Sequence, residues 1–430
     1  MPERASVFER TQIGFEAAPG TQVPATVQLL GTSITSNIMS ESTSSGPRGS
    51  RLNTTAVQNK EWSEAEIEQD PAQYTDLAYL FKGAFGSPTS SVVSGTNLHE
   101  WDPQTFTALT PKTMTVEEGG SVRAHKFGHG LITSLSMECD RDGVSVSGSM
   151  KGQRITEGIV LTPGVAEVQT ISVSGTVSSG TYTLTFQGET TSAIAFGATA
   201  ATVQTALLAL PNLDTGDVVV TGGPLPTTPM VLTFGGQYAS VDVPIVVVNS
   251  AALIGGGSYV NVQTTAGAPI AQSTLQPMSG KEWDLFVDST AAGLGTTKLT
   301  RCFGCSWDIP DLYDPFWVGN TTLDSWAGYT DQKIEPTFEF TVAADSSGMA
   351  FLANLRAGST IFPRLRLTGP TLGASTYLYQ HDFAVKITDP GGNDDESGMA
   401  VRTWSGEIVY DRTWGKWMKA QIRNDVAALT

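Results

Sequence analysis

Between Lys60 and Gly86 the pattern of apolar and polar positions changes its period. Ser63, Ala65 and Ile67 alternate with Glu64, Glu66 and Glu68, the two-residue repeat of a strand with one buried and one wet face. Further on, Leu77, Leu80, Phe81 and Ala84 recur at i, i+3, i+4 and i+7, the buried stripe of a helix. Asp70 suits the cap, Pro71 the first helical position, and Gly83 or Gly86 the stop.

The same unit returns 275 residues later. Asp70, Leu77, Ala78, Leu80 and Gly83 fall on Asp345, Leu352, Ala353, Leu355 and Gly358, and Glu64 falls on Glu339. The strand recurs as Phe338, Phe340 and Val342 against Glu339 and Thr341, and Gly20-Thr21 lands on Gly295-Thr296. The placement of these matches predicts a duplicated fold.

Other segments read in chain order. Residues 7 to 36 form an extended lead-in with a turn at Pro19-Gly20, and the polar run from Glu41 to Asn59 reads as a long loop. A second loop carries Trp101 and leads to a strand at Met114–Val116. Leu131, Leu135, Met137 and Cys139 alternate with Ser134, Ser136 and Glu138. After the turn Asp140-Arg141-Asp142-Gly143, Val144, Val146 and Met150 alternate with Ser145, Ser147 and Ser149, so this is a hairpin with one apolar face and one covered in hydroxyls.

At Gly164 the composition shifts. From there to Gly267 the chain has no Lys, Arg, His, Cys or Trp and five acidic residues. Strands are predicted at 168–173, 182–186, 218–220, 230–234 and 245–248, with a helix over 199–210 stopped by Pro211. The expected domains are therefore 1–163, an insertion at 164–268, and 269–430. In the last segment a loop rich in aromatic residues spans Asp311–Gln332, followed after the helix by an alternating strand through Ile361, Leu365 and Leu367. Strands over 377–387 and 399–409 flank an acidic turn at 390–396, and the C-terminus reads as a last strand or docking arm.

The chain has 430 residues and a formal charge of -17, with glycine abundant and no concentrated basic stripe. That argues for strands joined by tight turns and against gripping nucleic acid through its phosphates. Neither a signal sequence nor a membrane-length apolar run is present, so the expectation is synthesis in a cytoplasm without membrane insertion.

Candidate chemistry is sparse. His125 and His129 are four apart and Cys302 and Cys305 three apart, but strand geometry separates both pairs, and no metal or cofactor is expected. Carboxylates for glycoside hydrolysis could come from Glu64, Glu66 and Glu68 or from Asp394, Asp395 and Glu396. Like charges on one strand face or one turn are more ordinarily a solvated surface. No nucleophile-elbow, zincin, phosphate-loop or dinucleotide motif occurs, so no catalytic residue is assigned. Asn53 and Asn320 fit a glycosylation pattern that requires secretion.

Several stretches together resemble the major tail tube proteins of long-tailed bacteriophages: FEAAPGTQVPATVQLL, WSEAEIEQDPAQYTDLAYLFKGAFG, HGLITSLSMECDRDGVSVSGSMKG and the closing segment 404–425. GTYTLTFQGETTSAIAFGATAATVQTALLAL with VVVTGGP resembles a module inserted in phage structural proteins.

The resemblance implies a mainly β fold, a β-sandwich with flanking helices, whose copies join edge to edge into a ring around a β-barrel lumen. Rings stack into the tube that conducts DNA. Such rings present six tube folds, hence a trimer if the chain is duplicated and otherwise a hexamer. On this reading Ser134, Ser136, Glu138, Ser145, Ser147 and Ser149 line the lumen, which genomic DNA passes without specific binding. Arg48, Arg51, Tyr313, Phe316, Trp317 and Trp326 are the candidates for contacts between rings. Further implied partners are the tape measure, tail terminator and distal tail proteins, and the implied location is the virion tail, assembled in the bacterial host cytoplasm. The insertion would project outward. The rival classes are a head decoration or receptor-binding adhesin protein and, third, a carboxylate-dependent glycoside hydrolase.

Overall fold

A computed structural model describes residues 9–49, 51–120, 123–319 and 325–429. The chain divides into two compact units, one built from residues 1–161 and 272–430, the other from 162–271. The outer unit is mainly β. Its first half holds β1 (Arg10–Phe15), β2 (Val27–Leu29), β3 (Ser33–Ser45), β4 (Thr55–Gln69), α1 (Tyr74–Phe85), β5 (Thr89–Val93), β6 (Thr96–Trp101), β7 (Met114–Gly119), β8 (Ala124–Asp140) and β9 (Val144–Gly152). Its second half holds β10 (Trp283–Asp288), β11 (Cys302–Ile309), β12 (Thr337–Ala343), α2 (Phe351–Ala357), β13 (Thr360–Leu372), β14 (Ser375–Phe383), β15 (Val385–Asp389), β16 (Asn393–Glu396), β17 (Met399–Ile408) and β18 (Met418–Asn424).

Strand pairing repeats between the halves. In the first, β3, β4, β9 and the C-terminal part of β8 lie side by side, all antiparallel. In the second, β11, β12, β17 and β15 do the same, with β16 continuing the last position beside β17. The other strands match as well: β1 pairs β7 and β7 pairs the start of β8, while β10 pairs β13 and β13 pairs β14. Each half also places its helix between the matching strands, α1 after β4 and α2 after β12. The registers correspond as well: Ala65 opposes Met150, and 275 residues on Phe340 opposes Trp404, its partner strand displaced by 254 residues instead.

The halves are joined where β8 pairs β11, from Asp140 opposite Gly304 to Leu135 opposite Ile309. One antiparallel sheet of eight positions results, running β3, β4, β9, β8, β11, β12, β17, β15. Among the described residues it does not close into a barrel; at its β15 end Val385 and Lys386 pair with Ile361 and Thr360 at the start of β13. A second layer runs β10, β13, β14, β18, β6, β5. The C-terminal segment is thus a strand slotted between β14 and β6.

Between these layers sits α1, with eleven of its twelve residues buried. Phe81 is fully buried, its ring 5.4 Å from Trp101, 5.6 Å from His381 and 6.1 Å from Trp307. Leu77, Leu80 and Ala84 are also fully buried, as their spacing predicts. The helix starts later than Asp70 and Pro71 lead one to expect. Gln73 is its N-cap, in an extended conformation, because Ala72 donates to the Val144 carbonyl and accepts from Met278 and Gln73 bridges Pro277, so these residues join other segments before the helix begins. Gly86, at φ 87°, ends it. Gly83 lies inside, where a Cβ would come within 2.6 Å of Met114 and 2.8 Å of Ile132. In the second half Asp345 accepts from the amides of Ser347 and Gly348, and Gly358 closes α2 in the left-handed region.

Two expected loops and one expected strand differ. The polar run 41–59 is mostly hairpin, since β3 and β4 stay paired out to Ser45 and Thr55. Cross-strand bonds of Ser45 to Thr55 at 2.9 Å, Asn59 to Thr43 at 2.7 Å and Lys60 to Glu41 at 2.8 Å extend a ladder that composition does not announce. The acidic turn 390–396 contains β16, paired to β17 despite its Asn, Asp and Glu residues. The stretch 377–387 is two strands broken at Ala384.

The inner unit has a four-stranded sheet in the order Val218–Gly222, Met230–Phe234, Val168–Ser174, Ser258–Thr265. Thr199 caps a helix over Ala200–Leu207 by accepting from the Thr202 amide. The expected strand at 245–248 forms at Val247–Asn249, and 258–265 is a strand that sequence patterning did not mark. Glu167 is fully buried in a unit without lysine or arginine. Its carboxylate accepts instead from Gln169 at 3.0 Å, Gln263 at 2.9 Å and the Gly267 amide at 2.7 Å, beside the paired strands 164–165 and 268–269.

Phe81 touches aromatic rings from both halves, so Phe81→Ala should destabilise the outer unit by about 3–5 kcal/mol. Urea denaturation followed by tryptophan fluorescence measures this. A loss below about 1 kcal/mol would contradict the central place of α1.

Candidate functional site

One face of the eight-position sheet packs on the core; the other carries the residues of interest. Ser134 lies opposite Ser149, which lies opposite Glu66, which lies opposite Thr35. Ser136 opposes Ser147 and then Glu68 in one direction, and Asp308, Thr337 and Glu407 in the other. Glu138 opposes Ser145 on one side and on the other Ser306, Glu339 and Ser405. Directly opposed residues share a face, so all six hydroxyl-hairpin candidates stand on one surface that continues across both halves.

That surface is acidic. Glu64, Glu66, Glu68, Glu138, Asp308, Glu339 and Glu407 stand on it against Lys151 and Lys386, and Lys151 is paired with Asp314 at 3.5 Å. Hydroxyls bond along it, Ser136 to Ser147 at 2.7 Å and Ser405 to Glu339 at 2.6 Å. A shallow cavity of about 480 Å³ between Glu64, Glu66, Lys151, Asp308 and Asp311 is open to this face. Burial, and then the Asp311 charge, hold the Asp308 carboxyl above its ordinary range. The strand glutamates stand in a row along β4 rather than facing each other across a cleft. Asp394, Asp395 and Glu396 form an exposed edge strand, away from that cavity.

Among the described residues each end of the sheet carries an open edge strand, β3 at one end and β16 at the other, where β15 itself is covered by the start of β13. Along β3, Ile38 is 54% exposed and Ser40 to Ser45 lie largely in solvent. At the other end all four residues of β16 are exposed, as is Met399 beside them.

Where β3 leaves the core, Ser36, Glu118 and His125 meet. The Ser36 hydroxyl lies 2.8 Å from His125 Nε2 and 3.0 Å from Glu118 Oε2, and His125 Nε2 is 3.2 Å from the same carboxylate. A hydrolytic triad needs serine and acid on opposite ring nitrogens. Here both sit on Nε2, so the cluster ties β3 to β7 and β8. The Glu118 hydrogen bond outweighs burial and raises the His125 pKa, with Glu157 adding to the rise and Arg123 opposing it. His129 goes elsewhere: buried at 3.9 Å from the Trp326 ring, with its pKa lowered by burial to about 4.

A bulge at Phe303 changes the expected cysteine geometry. Cys302 opposes Val342 and Cys305 opposes Phe340, so both turn to the core side instead of to opposite faces. Cys139 lies opposite Cys305 at the junction of the halves. Burial raises the Cys302 thiol, and the Cys139 hydrogen bond with burial raises that of Cys305. Among the described residues no cluster of three or more metal-ligating side chains is present.

The candidates for contacts between rings separate into two groups. Arg48 and Arg51 are exposed at the tip of the β3–β4 hairpin, and Phe316 is 43% exposed. Trp317 is half-buried against Trp62 at 5.7 Å. Tyr313 and Trp326 are interior instead. The Tyr313 hydroxyl donates to the Ala84 carbonyl at 2.7 Å, and Trp326 Nε1 donates to the Gly152 carbonyl at 3.0 Å. An aromatic-rich loop looks the same in sequence whether its rings point out or anchor it. The second glycosylation-pattern position, Asn320, lies outside the described residues.

No protein family model and no curated protein matches the chain. Among the described residues no helix is long and apolar enough to cross a membrane.

A histidine with a raised folded-state pKa stabilises the fold fully below its unfolded value, near pH 6.5, and loses that contribution as pH rises through the folded value. The stability difference between the wild type and His125→Gln should therefore be largest near pH 5.5 and shrink toward pH 8.5. Thermal denaturation across that range measures it; a difference that grows with pH contradicts the Glu118 pairing.

Proposed function

We propose that this chain is a structural virion protein, the tail tube subunit of a long-tailed bacteriophage. The observation that carries the reading is a sheet made of two equivalent halves, open at both ends, with an acidic hydroxyl-covered face. Such edges invite strand pairing and are a liability in a lone subunit, whereas a cyclic ring satisfies every one. Because each chain carries two equivalent sheets, three copies would present six around a hole, with pseudo-sixfold symmetry.

The acidic face supports a lumen wall. A passing duplex must not adhere, and carboxylates repel phosphate while serine and threonine hydroxyls keep the wall wetted. Ser134, Ser136, Glu138, Ser145, Ser147 and Ser149 are the wall residues of the first half. Contacts between stacked rings fall to Arg48 and Arg51 on the hairpin tip and to Phe316 and Trp317. The tape measure, tail terminator and distal tail proteins are the partners this role requires.

Electron micrographs of purified, concentrated protein test the reading against its rivals. Long hollow tubes are the expected result; isolated closed oligomers would favour a head decoration or adhesin role. In assembled tubes the amides of residues 46–54 should exchange hydrogen more slowly than in the monomer. Equal exchange would remove the hairpin tip from the stacking contact.

A further inference from the structure

The junction inside the chain is a template for the contact between chains. β11 is the second-half counterpart of β3: Cys305 opposes Phe340 as Ser36 opposes Ala65, and Ser306 opposes Glu339 as Asn37 opposes Glu64. β16 is the counterpart of the part of β8 around Ser136, because each runs beside the same strand of its half: Asn393 opposes Arg402 as Leu135 opposes Gly148, and Glu396 opposes Met399 as Glu138 opposes Ser145. Within the chain, β8 and β11 are paired with Glu138 opposite Ser306, Met137 opposite Trp307, Ser136 opposite Asp308 and Leu135 opposite Ile309. Among the described residues their counterparts β16 and β3 have no strand paired along their outer edges.

We infer that β16 of one copy pairs antiparallel with β3 of a second copy in the register Glu396–Asn37, Asp395–Ile38, Asp394–Met39 and Asn393–Ser40. The pairing is heterologous, one edge meeting a different edge, so it propagates around a ring instead of stopping at a dimer. Its extent is bounded on both sides. On β3, the Ser36 amide is turned away from β4 and already donates to Glu118 Oε2 at 3.2 Å, closing the free edge there. On β16, Ser397 and Gly398 turn the chain at positive φ. The direction of the Ser36 amide also sets which backbone groups face the neighbour. Ile38 and Ser40, two and four residues on, share its orientation, which makes Ile38–Asp395 a hydrogen-bonded pair and Met39–Asp394 a non-hydrogen-bonded one, with the closer side chains. Exposed Ile38 is covered in this arrangement, and the three carboxylates of β16 keep the edge from pairing indiscriminately while it is free.

The inference rests on assembly by identical copies, and its register is separable from the tube reading. Met39→Cys with Asp394→Cys, assembled and mildly oxidised, should give a ladder of covalent multimers on a non-reducing gel. Met39→Cys with Glu396→Cys, two residues off register, should give at least tenfold less. Hollow tubes with the ladder reversed between the two pairs overturn the register and leave the tube reading standing. A ladder from the first pair without tubes upholds the register and overturns the tube. Should the double variants misfold, hydrogen exchange on wild-type protein serves: protection gained on assembly at residues 38, 40, 393 and 395 supports the pairing, and unchanged exchange there overturns it.

Discussion

Six rungs of antiparallel pairing, from Asp140–Gly304 to Leu135–Ile309, turn two four-position sheets into one. The core depends on that seam. Trp307 on β11 reaches Phe81 of α1, which in turn meets Trp101 of β6 and Tyr379 and His381 of β14, so the first half's helix is packed by strands of both halves. The equivalent helix α2 has only Phe351 buried, against Phe340 and Trp404. The halves share a pairing plan but not a role: the first contributes the buried helix, and strands of both enclose it.

The same seam explains the open edges. Each half carries one donor strand and one receiving strand for its neighbour, and inside the chain one such meeting is made. The remaining two strands are left at opposite ends of the sheet. A heterologous contact of this kind either closes as a ring or continues as a filament. In the proposed assembly the wet face that the sheet presents, with its carboxylates and serine rows, would be the inner surface.

Much of this was readable in the residues. Strict alternation at 63–68 and 131–150 marked strands and their faces, because one side is buried and the other is not. The i, i+3, i+4 stripe marked α1, and the offset between Asp70 and Asp345 pointed to the repeat. The failures have physical causes. Residues 70–73 look like a helix start, yet the backbone groups of Ala72 are taken by Val144 and Met278. The hairpin arm at 41–59 and the acidic strand at 393–396 have compositions that favour loops, and ladder pairing with a long partner overrides that preference. Tyr313 and Trp326 were indistinguishable from surface aromatics, since burial of a loop side chain depends on distant strands. The junction of β8 with β11 left no local signal at all.

The account stands on copies that complete one another's edges around a hole. An averaged end-on image of the assembled protein tests it most directly. It predicts a central pore ringed by three copies, each contributing two similar sheets. A poreless particle, or a monomer at high concentration with no end-on assembly to average, would contradict it.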